Sequence, residues 1–122
     1  MQRKEYNLSG LLGGLRASVT VADEEYRIIF MNDLAIEHYA RWGGASLIGS
    51  SLLDCHNEKS RTTLDQMYER YRSGDLTPTR YYEDEGNGSG RNEVMIPLVI
   101  GGQFKGVAEL IWHERPDLVF DA

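Results

Sequence analysis

The sequence predicts an α+β domain in which five antiparallel strands are covered on one face by helices. Three observations predict it. Apolar residues alternate with a period of two near the N-terminus and again over the last third, while the middle third repeats at helical spacing. The last three extended runs are separated by glycine-bearing turns, which suit antiparallel neighbours. Length agrees, because 122 residues that are 41% hydrophobic fill one core beneath one sheet and leave no room for a second.

Leu8, Leu11, Leu12 and Leu15 fall on one helical face, weakened by Gly10, Gly13 and Gly14, so residues 1–15 are expected to hold a short, frayed lead-in helix. Over residues 17–22, Val19 and Val21 alternate with Ser18 and Thr20, the mark of a half-buried strand. Asp23-Glu24-Glu25 breaks it, and the β-branched and aromatic run 26–31 is its hairpin partner. Asn32 can cap a helix in which Ala35, His38, Tyr39 and Trp42 repeat until Gly43-Gly44 stops it. Residues 46–53 read as a helical turn followed by buried loop.

The clearest helix spans 57–73, where Leu64, Met67, Tyr68 and Tyr71 share a face, Asn57 is a candidate cap and Gly74 the stop. Extended runs follow at 79–83, 93–100 and 104–113. Gly101-Gly102 is a compact turn, and residues 86–90 read as a longer, mobile connection. In the last run Phe104, Ala108, Leu110 and Trp112 share one side by simple alternation, opposite Lys105, Val107, Glu109, Ile111 and His113.

Composition excludes several classes. A net charge of −6 and a pI near 5.0 disfavour nucleic acid, whose affinity depends on Lys and Arg. No apolar run approaches the roughly 18 to 20 residues of a membrane span, and Met1 to Tyr6 lead into no secretory apolar stretch. A cytoplasmic location is the expectation, and the single Cys55, unable to form an internal disulfide, agrees with a reducing compartment. Cys55 beside His56 does not make a nucleophile and base, because adjacent side chains seldom converge and no orienting carboxamide or carboxylate can be assigned. An enzyme is not expected. The three histidines lack the close spacings of zinc sites, so no structural metal is expected either, and residues 86–90 lack the lysine of a phosphate-binding loop.

Three segments in order, Val19-Thr20-Val21-Ala22-Asp23 with Arg27-Ile28-Ile29-Phe30-Met31-Asn32, then Leu47-Ile48-Gly49-Ser50-Ser51-Leu52, then Gly106-Val107-Ala108-Glu109-Leu110, resemble the PAS family. The resemblance covers about residues 8 to 115 and implies the strand order 2-1-5-4-3, a sensor domain over 16–115 and a tail over 116–122. It also implies that Pro97 lies on an interior strand. Proline has no N–H for such a ladder, so a bulge or a local break in pairing is expected there.

Leu53-Asp54-Cys55-His56-Asn57-Glu58-Lys59-Ser60-Arg61 is similar to the His-Pro-Glu-Lys-Ser-Arg segment of haem-binding PAS domains in carbon-monoxide-responsive bacterial regulators, with Asn57 where proline is usual. That similarity implies a b-type haem, His56 as axial ligand to its iron, and gas or redox sensing. Lys59 and Arg61 would meet the propionates, and Leu64, Met67, Tyr81, Met95 and Trp112 would line the pocket. Counting 56, 60, 64, 67 and 71 puts His56 over the inward helix face if helical geometry reaches back so far. The related regulators carry a methionine near 79–82 and this chain carries none there, which implies five-coordinate or water-bound iron.

Other readings stay open at this stage. His56 could hydrogen-bond locally and steady the junction before the helix. The pocket could take a small metabolite, or the domain could be a cofactor-free interaction module whose outer sheet face and Leu8–Leu15 segment form a homodimer or dock a separate output protein. The flavin photoreceptor sequence around a reactive cysteine is absent, so light sensing is not expected.

Overall fold

The structure, a computed structural model, describes residues 5–86 and 88–122. The first four residues of the expected lead-in, and Asn87 of the glycine-rich connection, lie outside them. The chain runs α1 (Leu8–Gly13), β1 (Ser18–Asp23), β2 (Ile28–Met31) and α2 (Asp33–His38), then three 3₁₀ turns at Ala40–Trp42, Gly44–Leu47 and Leu52–Cys55. It continues through α3 (Glu58–Arg72), β3 (Thr79–Gly86), β4 (Ser89–Ile100) and β5 (Gln103–Glu114) to a last 3₁₀ turn at Pro116–Leu118. The sheet order is β2-β1-β5-β4-β3 with every pairing antiparallel, as expected.

Asn32 locks the N-terminal half together. Its side-chain oxygen accepts from Ala35 N at 3.0 Å, capping α2, and from Val19 N at 2.9 Å, while its amide donates to the Leu15 and Ala17 carbonyls. The helix it starts is shorter than expected, since a 3₁₀ turn takes over after Tyr39, and only Ala35 and Tyr39 of the predicted face are buried. Asn57 caps α3 through Ser60 N at 2.9 Å. Leu64, Met67, Tyr68 and Tyr71 are buried on its inner side as the spacing requires, and the Tyr68 and Tyr71 hydroxyls donate to the Asp23 and Met95 carbonyls.

A bulge decides which residues of β5 face the helices. Leu98 pairs with Gly106 and Val99 with Phe104, leaving Lys105 as the extra residue. The shift flips the alternation, so Phe104 packs on Tyr68 and Tyr71 while Val107, Glu109 and Ile111 point to the same side. Simple alternation, which groups Phe104 with Ala108, Leu110 and Trp112, is therefore wrong for Phe104. Gly106, at φ 157°, permits this, because a Cβ there would strike the carbonyl oxygen of Ala22.

At Pro97 the pairing with β5 continues, opposite Val107, and the register shift comes between Leu98 and Val99. On its other side β3 pairs no farther than Met95, so Pro97 lies past the interior part of the strand. Among the described residues the glycine-rich stretch pairs where a mobile connection is expected. Gly86 pairs with Ser89, and Gly90 lies inside β4 because Tyr82 packs where its side chain would be. Among the described residues no helix is long and apolar enough to cross a membrane.

Candidate functional site

A cavity of about 390 Å³ lies between α3 and strands β3, β4 and β5. Six of the residues expected at the site line it: His56, Lys59, Leu64, Met67, Tyr81 and Met95. Arg61 does not. Its Nε donates to the Leu53 carbonyl at 2.9 Å and to the His56 carbonyl at 3.3 Å, so its guanidinium braces the loop that carries His56. Trp112 does not either, because beyond the bulge the even-numbered residues of β5 face away from the helices; it pairs with Asn92 and is 36% exposed on the outer side of the sheet.

His56 follows the Leu52–Cys55 turn in extended conformation, φ −132° and ψ 147°, so the helix does not reach back to it and its direction is set by the loop. Its ring still turns inward, with the side chain 13% exposed. Nδ1 lies 2.8 Å from the carbonyl oxygen of Leu52, and a carbonyl can only accept, so Nδ1 donates. In the neutral ring that leaves the Nε2 lone pair facing inward, where it meets Glu109 Oε2 at 3.9 Å.

Glu109 stands at the centre of the sheet on β5 and is 1% exposed. Its Oε1 accepts from the Tyr39 hydroxyl at 2.5 Å, and its Oε2 has no hydrogen-bond partner among the described residues. Burial pushes its pKa up to about 8, reinforced by the negative charge of Glu93 and opposed by the Tyr39 bond. The Tyr39 phenol is raised too, first by burial and then by Glu109. Burial and the Glu93 charge both favour the protonated Glu109 carboxylic acid, which can donate as well as accept.

Its surroundings are polar as well. The hydroxyls of Ser18 and Thr20 are buried without a partner among the described residues, and in the β1–β5 register Thr20 is opposite Glu109 and Ser18 opposite Ile111. Native interiors satisfy the large majority of such groups. Three such orphans lie on neighbouring positions of one sheet face, and of their residues Glu109 lines the cavity. Glu93, on β4 between Tyr81 and Ile111, adds a second carboxylate, and donor atoms of His56, Glu93 and Glu109 all lie within 4.8 Å of one another.

Glu93, Glu109 and Tyr39 carry none of the motifs that drew attention to His56. One signal was available: Glu109 sits in the same alternating register as Val107 and Ile111, a charge on an apolar strand face. Cys55 is inert. Burial, then Glu109, pushes its thiol up to about 12, and it donates to the Leu52 carbonyl at 3.0 Å.

A haem held by His56 needs an apolar slot in front of the coordinating nitrogen. Here the atoms in front of Nε2 are carboxylates, with Glu109 Oε2 at 3.9 Å, inside the space a macrocycle would take. Arg61 is committed to the loop backbone and Trp112 lies on the far side of the sheet. The nitrogen is presented as a metal ligand should be, but the residues around it do not fit a porphyrin.

Neither a family profile nor a curated protein sequence matches the chain. Solved structures do match its backbone. The PAS domain of BvgS from Bordetella pertussis, 18% identical, superimposes with a TM-score of 0.65 over 91% of this chain and 88% of that one. The chain has the PAS fold. A sensory box sensor histidine kinase from Vibrio cholerae gives a TM-score of 0.63 at 18% identity, covering 88% of each chain. The Aer2 receptor from Vibrio cholerae, described as a dual PAS-heme oxygen sensor, gives 0.57 at 16% identity, over 84% of this chain and 97% of that one. At such identities the backbone is what is shared, and the side chains that line a PAS pocket are this chain's own.

Proposed function

We propose that the chain is a sensory input module, a PAS-fold domain that binds a small polar ligand between α3 and the sheet and passes occupancy to another polypeptide. The observation that carries this reading is the Glu109 carboxyl, buried at the sheet centre with one oxygen unpartnered among the described residues, beside His56 in a cavity. An apolar residue would pack there without the several kcal/mol that desolvating an acid costs. Ligand recognition is what gives such a group a use, since pockets pair apolar walls with a few placed polar atoms. The reading is of binding rather than turnover, in a cytoplasmic setting.

Occupancy has a structural route outward. The Tyr39–Glu109 bond and the His56–Glu109 approach join three elements, the turn after α2, the central strand and the loop before α3. A ligand that takes up Glu109 Oε2 changes the balance of those contacts and so favours one arrangement of the sheet over another. The outer sheet face is suited to receive the change, because Val19, Val94, Ile96, Leu110 and Trp112 neighbour one another across β1, β5 and β4. Leu8, Leu11, Leu12 and Leu15 add exposed apolar surface at the N-terminal end. This supports a second copy of the chain or a separate output protein as partner.

Two-dimensional NMR of the labelled full chain, recorded with a panel of small organic acids, amines, divalent cations and haem, tests the proposal. Shifts concentrated at His56, Glu93, Met95 and Glu109, and suppressed when Met95→Trp fills the cavity, are the expected result. A panel that leaves those resonances unmoved overturns it. A Soret band that His56→Ala removes would put haem in place of the polar ligand.

A further inference from the structure

We infer that His56, Glu93 and Glu109 form a site for one divalent first-row transition-metal ion, with zinc as the reference case. The inference rests on the cavity reading above and names the ligand class that the cavity takes. The donors converge from three elements: the loop before α3, strand β4 and strand β5. His56 Nε2 and Glu109 Oε2 are 3.9 Å apart, and all three donor atoms lie within 4.8 Å of one another. Metal bonds of about 2.0 to 2.2 Å in tetrahedral arrangement set donor atoms roughly 3.4 Å apart. Side-chain rotation closes the difference, and Glu93 is half-buried rather than fully enclosed.

Two of the three donors already have the outer contacts that metal ligands need. Nδ1 of His56 donates to the Leu52 carbonyl at 2.8 Å, which aims Nε2 inward, and Oε1 of Glu109 is held by the Tyr39 hydroxyl at 2.5 Å, which leaves Oε2 for the ion. Independently of the clustering, Oε2 belongs to a side chain 1% exposed and has no partner among the described residues. The donor set selects the class of ion. Magnesium and calcium take six or more oxygens, whereas an imidazole with two carboxylates suits zinc, cobalt, nickel, iron or manganese. Two carboxylates also balance the charge of a dication. Of the cations that line the cavity, Arg91 is paired with Glu83 at 2.6 Å, and Lys59 is exposed.

Calorimetric titration of the chelator-treated full chain with zinc chloride tests this, with cobalt(II) absorption as a second readout. One equivalent of zinc should bind, and His56→Ala and Glu93→Gln should each weaken it by roughly tenfold or more while the far-ultraviolet circular dichroism stays unchanged. Cobalt should show visible bands that change in both variants, and magnesium and calcium should give no heat. Glu93→Gln keeps the test decisive if Glu109→Gln disturbs folding. Zinc binding that both variants leave untouched, as from the exposed His113–Glu85 pair, overturns the inference. So does the absence of zinc binding. If zinc fails while an organic compound still shifts the cavity resonances, the metal falls and the sensor reading stands; if nothing reaches the cavity, both fall.

Discussion

Glu109 is the residue on which the chemistry turns, and its acidity gives it a signature in stability. Its carboxyl is raised from the ordinary value of 4.5 to about 8, by burial first and by Glu93 second. The unfolded chain releases that proton at a lower pH than the folded chain does. Its contribution is therefore fully present below pH 4.5 and is lost as pH rises through about 8. With chelator present, folding stability should fall between those values by at most about 1.4 kcal/mol per pH unit. Urea midpoints measured across that range should show the fall in the parent chain and a flatter profile in Glu109→Gln. Tyr39 and His56 face the same carboxyl, so an unchanged slope in Glu109→Gln would place the proton elsewhere in the group.

At the scale of elements, the β5 bulge joins fold to site. Without it Phe104 and Glu109 could not both face the helices, because their separation in sequence is odd. Gly106 makes the bulge possible, and Gly106→Ala should lower stability by more than about 2 kcal/mol in urea unfolding. Gly101→Ala is the control: its φ of 58° is also left-handed, but its Cβ would meet open space, so about 1 kcal/mol is the expected loss. Equal losses would show that the approach of β1 to Gly106 is not what constrains the strand.

The same bulge explains what the sequence could and could not reveal. Strand count, the α3 face and the Asn32 and Asn57 caps are local patterns, and local patterns were legible. As lining of the cavity, His56 and Lys59 were legible from a motif, Leu64 and Met67 from a helical spacing, and Tyr81 and Met95 only from their residue type. Glu93 and Glu109 were not, since what brings them to His56 is cross-strand register and one extra residue in β5. Trp112 was misplaced for the same reason, and Arg61 because its tie to the loop backbone leaves no trace in composition. The histidine spacings count only neighbours in sequence, whereas the donor atoms of the proposed site meet through the sheet.

Over the whole molecule, the centre of the sheet sets polar residues among the apolar Met95, Val107 and Ile111 on its inner face and apolar residues on its outer one. The face toward the helices carries Ser18, Thr20, Glu93 and Glu109, and the face away from them carries Val19, Val94, Ile96, Leu110 and Trp112. The proposed ligand inside and the proposed partner outside would each give one of these faces a use. If the α1 leucines belong to that outer contact, removing residues 1–14 should lower the mass measured in solution by light scattering; an oligomer unchanged by the deletion would assign the contact to the sheet alone.

That polar residues are kept inside for binding and not for stability is the central claim, and removing them tests it. Replacing both partners of a buried hydrogen bond by apolar groups of similar shape is nearly neutral or stabilising, whereas losing one partner costs about 1 to 3 kcal/mol. The measurement is the urea midpoint at neutral pH of the double variant Tyr39→Phe with Glu109→Met, in chelator, against the parent. The account predicts a midpoint equal to or above that of the parent. A loss of more than about 2 kcal/mol would make the pair a structural bond of the core and contradict it.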